Sequence, residues 1–88
     1  MVWEREEMKE IVIEYSEDSN KSWQATEVYA RLINDGFLPL RITNFPHFSL
    51  GTKRIEYSFG DNSSLPKKSK LEGRLKDLKL KSIGVISS

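Results

Sequence analysis

The chain has no cysteine, and that one absence excludes disulfide staples, thiolate metal sites and cysteine nucleophiles together. It fits a reducing compartment, so the expected location is cytoplasmic. There is one histidine, His47, beside Asn44 and Ser49 in NFPHFSL. Nothing in that spacing supplies the carboxylate-oriented base and neighbouring hydroxyl that nucleophilic catalysis needs. No stretch approaches the roughly 20 apolar residues of a membrane span, and MVWEREEMKE has no apolar run behind a basic start. Neither export nor insertion in a membrane is expected. The five glycines stand singly, as turn and helix punctuation does, so there is no glycine-rich phosphate loop. The acidic start Glu4, Glu6, Glu7 and Glu10 lacks the spacing of a calcium loop and is interleaved with Arg5 and Lys9. No metal, no cofactor and no enzymatic activity are expected.

What is present is charge, divided along the chain. Residues 1–40 hold nine acids against four bases, a net of −5; residues 41–88 hold ten bases against four acids, a net of +6. The total of +1 conceals this division. Such asymmetry points to a face for a polyanion, or to a surface that meets its opposite in an oligomer. Eighty-eight residues make a single domain, 1–88, with residues 1–9 allowed as an N-terminal extension. A chain of this size buries only about 60 to 65% of its extended-chain surface, so one core is all it can build.

The stretch NKSWQATEVYARLINDGF predicts an amphipathic helix. Trp23, Ala25, Val28, Tyr29, Leu32 and Ile33 recur at helical spacing, with Gln24, Glu27, Arg31 and Asn34 mainly on the other side. Asn20 or Ser22 can cap its start, and Gly36 can take the left-handed conformation that ends it, with Phe37 folding back. Ahead of it, IVIEY alternates with β-branched residues and predicts a strand over about Glu10 to Ser16, although EREEMKE would also support a helix from Glu4 to Glu17. After it, LPLRITNF and KRIEYSFG alternate on either side of PHFSLGT and predict a hairpin. A second helix is expected from Pro66 to about Leu78, with the stripe Leu71, Leu75 and Leu78 and an internal Gly73, and a last strand over about Ser82 to Ser87.

Strand, helix, strand, strand, helix, strand is the order of the split βαβ, ferredoxin-like sandwich, an α+β fold with two helices on one face of a four-stranded antiparallel sheet. If residues 4–17 are helical instead, the order becomes helix, helix, hairpin, helix, a winged-helix-like arrangement.

The chemistry-bearing constellation is the basic and aromatic content of the second half. Arg41, Lys53 and Arg54 lie on or beside the hairpin with Phe45, Phe48 and Tyr57 among them, and Lys67, Lys68, Lys70 and Arg74 open the second helix. Phosphates need neutralising cations, and unstacked bases gain about 1 to 3 kcal/mol on an aromatic surface. The expected function is therefore non-catalytic binding of nucleic acid, RNA or DNA, with the basic side chains on phosphates and Phe45, Phe48 and Tyr57 against rings. The RNA-recognition signature of a basic residue, glycine, aromatic, small and aromatic residues is missing; TKRIEYSFG holds only its tail. The alternative is a protein-interaction module or small regulator, acting through the acidic segment Glu4 to Asp18 or the open sheet face, with a homodimer as one form of it.

Overall fold

Alternation sets the first element. In KEIVIEYS the β-branched residues favour extended backbone, and β1 spans Lys9–Ser16 with Ile11, Ile13 and Tyr15 directed to one face. This strand excludes the winged-helix arrangement, which required helix at the same residues. The computed structural model describes residues 9–17 and 23–87. Residues 1–8 of the proposed N-terminal extension, with the Glu4–Glu7 cluster, and the caps Asn20 and Ser22 lie outside the described residues, while Lys9, assigned to that extension, opens β1.

Helix α1 covers Trp23–Asn34 and ends as its sequence requires. The Gly36 amide donates to the Ile33 carbonyl at 3.0 Å and the Phe37 amide to Leu32 at 2.8 Å, with Gly36 at φ 92°. This is a Schellman closure, and only glycine adopts that backbone without strain. Phe37 then packs back against the core. The stripe that α1 buries is rotated from the one its sequence suggests. Gln24, Val28 and Leu32 are buried and Ala25 packs beside them, whereas Tyr29 is exposed.

Strands β2 (Arg41–Ser49) and β3 (Thr52–Phe59) form the hairpin, and Leu50 and Gly51 make a two-residue turn with Gly51 at φ 75°. The β2–β3 register runs from Arg41↔Ser58 to Phe45↔Arg54, then shifts before Ser49↔Thr52. The three residues Pro46, His47 and Phe48 therefore oppose Lys53 alone, because proline cannot donate to the ladder and the strand bulges around it. The Phe45–Pro46 peptide is trans.

Helix α2 is shorter than expected, Lys68–Arg74, followed by a 3-10 turn at Lys76–Leu78. Lys67 is extended rather than helical, Leu75 leaves helical geometry at φ −110° and ψ 9°, and Lys79 closes the segment in the left-handed conformation at φ 55°. Leu71, Leu75 and Leu78 nevertheless keep their common inward direction. Strand β4 spans Ser82–Ser87, as the sequence predicts.

The result is a small α+β domain with two helices and a four-stranded antiparallel sheet, ordered β2-β3-β1-β4. Ile11, Ile13 and Tyr15 of β1, Ile55, Tyr57 and Phe59 of β3, Val28 and Leu32 of α1 and the three leucines of the α2 segment form one buried cluster. Both helices thus lie on the same side of the sheet. No residue of β2 belongs to that cluster.

Candidate nucleic-acid interface

Strand pairing fixes what each face of the sheet displays. Tyr57 lies opposite Ile11 and Ile55 opposite Ile13, so these point to the helices; Ser58, Glu56 and Arg54 lie opposite Glu10, Val12 and Glu14 and point away. Arg41, Thr43 and Phe45 of β2 continue those three rows on the same outer face.

Tyr57 therefore cannot present its ring to a base, contrary to its expected role. It is 1% exposed, and its hydroxyl donates to the Ala25 carbonyl at 3.2 Å. Burial pushes its phenol well above the ordinary range. Alternation put Tyr57 on the face of Ile55, and the core claimed that face.

Arg54 is also committed internally. Its Nη1 donates to Glu14 at 2.9 Å and its Nε to Glu56 at 3.0 Å, and its guanidinium lies 4.6 Å from the Phe48 ring centroid. Phe48 in turn meets Phe45 edge-to-face, with centroids 6.4 Å apart. The outer face thus carries two rings, but they are woven into an ion-pair network beside Glu10, Glu14 and Glu56. Set against Arg41 and Arg54, these three carboxylates leave the outer face without the excess of positive charge that phosphates require.

At one end of this face is an open cleft of about 460 Å³ whose lining includes Glu10, Leu40, Arg41, Thr43, Glu56 and Ser58. The Glu10 side chain is largely buried and its carboxylate meets the Ser58 hydroxyl at 3.5 Å. Lys9 also lines the cleft, with its ammonium held by the Asp61 and Ser63 carbonyls at 2.5 and 2.9 Å. Among the described residues, no cluster of histidine, cysteine, aspartate or glutamate has the form of a metal site. His47 is exposed on the bulged part of β2.

The α2 segment is different. Lys67, Lys68, Lys70, Lys76 and Lys79 are all exposed, and none makes a side-chain hydrogen bond or ion pair among the described residues. Arg74 of the same helix is occupied: its Nε and Nη2 donate to the two Asp35 oxygens at 2.8 and 2.9 Å. That pairing, with Lys70 adding to the field, holds the Asp35 carboxyl below the usual carboxylate value. Beneath these residues is a smaller hollow of about 270 Å³ between Asp35, Phe37, Pro66, Lys70, Leu71 and Arg74. Two helical turns sum few peptide dipoles, so the positive field here comes from the lysines rather than from the helix start.

Eight of the ten residues grouped in sequence are therefore distributed over two opposite sides of the domain, and the other two lie on neither. Arg41, Phe45, Phe48 and Arg54 lie on or beside the outer sheet face, Lys67, Lys68, Lys70 and Arg74 on the helix layer, Lys53 at the sheet margin opposite Tyr15, and Tyr57 in the core. Lys76 and Lys79, omitted from the sequence grouping, join the helix-layer set. Among the described residues no helix is long and apolar enough to cross a membrane. No protein-family model, curated protein or solved structure matches this chain.

Proposed function

We propose that this chain is a small non-catalytic domain of the ferredoxin-like, split βαβ type that binds nucleic acid through its phosphate backbone. The strand order β2-β3-β1-β4, with a helix between β1 and β2 and another between β3 and β4, supports the fold. One observation carries the function: among the described residues, five lysines without an ion pair stand together on α2 and its flanks, while Arg31, Arg54, Arg74, Lys9 and Lys81 are all engaged within the domain. Unpaired cations exchange counterions with a polyanion at no cost in internal contacts. Of the rings expected to stack bases, Phe45 and Phe48 lie on the other side of the sheet and Tyr57 is in the core, so the contact is with phosphates and carries little sequence preference.

Fluorescence anisotropy of labelled single-stranded RNA, single-stranded DNA and duplex DNA of equal length, each titrated at several salt concentrations, tests this reading. The expected result is binding to all three, with affinity falling steeply as salt rises. Absence of binding at low salt rejects it. A strong preference for single strands would move the contact to the aromatic side.

A second reading, a protein-interaction module, is favoured by the exposed apolar residues along β2.

A further inference from the structure

Strand β2 belongs to the sheet but not to the core. It is an edge strand, paired among the described residues only to β3, and contributes nothing to the buried cluster. The other edge is anchored: Ile83 and Val85 of β4 pack against that cluster. Along β2 and its two ends, Leu38 is 63% exposed, Leu40 78%, Ile42 41%, Phe48 45% and Leu50 102%. Five large apolar side chains in water beside an open strand edge are an association surface, because both their area and the free backbone groups gain from a partner.

We propose that β2 pairs antiparallel with β2 of a second copy of this chain, about a two-fold axis at Thr43. The surface is self-complementary in three respects. The regularly paired part of β2, Arg41 to Phe45, is bounded by Pro39 and by the bulge at Pro46, and Thr43 is its centre. Pairing about that centre sets Thr43 against its own copy, Ile42 against Asn44 of the partner subunit and Arg41 against Phe45 of the partner subunit, a threonine pair and a cation over a ring. Arg41 is the only permanent charge in β2, and the two copies of it fall four residues apart in register, about 13 Å, so no like charges are opposed. A foreign strand would find little electrostatic guidance on so uncharged an edge.

The exposed apolar residues nearest the axis support the same occupant: Ile42 lies within the paired segment and Leu40 at its end, so both copies withdraw these side chains from water. The arrangement closes on itself, since each copy uses its one unanchored edge and the two sheets join as eight strands. The axis runs perpendicular to the sheet, so both helix layers fall on one side.

Light scattering coupled to size exclusion, without nucleic acid and at high salt, separates this inference from the proposed function. The wild-type chain is expected at twice its monomer mass, and Ile42→Lys and Leu40→Lys at the monomer mass with unchanged circular dichroism. Both positions are exposed, so the folded monomer tolerates the charge. The chain has no cysteine, so Thr43→Cys is a clean reporter and should form an intermolecular disulfide on mild oxidation, whereas Leu50→Cys at the hairpin tip should not. A wild-type monomer at high concentration overturns the proposal. So does a dimer that survives both lysine substitutions or is broken instead by Ile86→Lys on β4. A dimer that dissociates with Ile42→Lys but does not cross-link through residue 43 overturns the placement of the axis.

Discussion

Arg31 of α1 grips Asp77 of the 3-10 turn with both ends of its guanidinium, Nη1 to Oδ1 at 2.6 Å and Nη2 to Oδ2 at 2.9 Å. The same Nη1 reaches the Arg74 carbonyl at 2.9 Å, and Arg74 holds Asp35 just past the C-terminus of α1. Two arginine–aspartate pairs, running in opposite directions, thus tie the two helical segments together across the layer.

Both aspartates titrate below the ordinary carboxylate value of 3.8, because a guanidinium donates to each ionised form. A folded-state pKa lowered in this way means that the unfolded chain binds more protons in that window. The stabilisation is present above the ordinary value and is lost as pH falls through the depressed one. Urea unfolding as a function of pH should show stability dropping below about pH 4. In an Asp35→Asn, Asp77→Asn double variant the same curve should start lower at neutral pH and decline less. Added salt should narrow the difference, since both pairs are exposed to screening.

Gln24 is almost fully buried and its Nε2 donates to the Leu78 carbonyl. Gln24→Ala leaves that carbonyl without its donor in a closed environment, which costs about 1 to 3 kcal/mol. Chemical denaturation should show the loss as a lower midpoint at unchanged slope.

Two glycines should respond to alanine with opposite signs. Gly73 lies in α2 with open space where a methyl group would sit, so Gly73→Ala should stabilise by about 0.5 to 1 kcal/mol through helix propensity. Gly36 also has open space, but its φ of 92° strains any side chain, and Gly36→Ala should destabilise by about 1 to 2 kcal/mol. Thermal melts of the two variants decide it, with the melting temperature rising for the first and falling for the second.

The two sides of the domain give a contrasting test of the nucleic-acid reading. Lys67→Ala, Lys68→Ala and Lys70→Ala together should weaken duplex binding and reduce the dependence of log affinity on log salt by about 0.9 for each phosphate contact removed. Phe45→Ala and Phe48→Ala should leave both quantities unchanged, because those rings lie across the sheet from the lysines. The opposite pattern would place the contact on the outer face.

Elements whose cause is local were legible along the chain. Alternation in IVIEY and KRIEYSF set β1 and β3 and which of their residues share a face; Gly36 and Phe37 set the end of α1; the β-branched tail set β4. These depend on a residue's own backbone preference and on neighbours within a few positions, so they are readable along the chain.

Tertiary structure decided what depends on distant partners. Helical spacing alone favoured Tyr29 over Gln24 for the core, but the Leu78 carbonyl gives the Gln24 amide an acceptor 54 residues away, and α1 turned accordingly. It decided too that Tyr57 is core, that Arg54 is engaged by Glu14 and Glu56 on the same face as Phe45 and Phe48, and that the lysines of the α2 segment stand on the opposite side from those two rings. The reason is topological. In this fold a helix that follows a strand crosses to the other layer, as α2 does after β3, so nearness in sequence does not make a common surface.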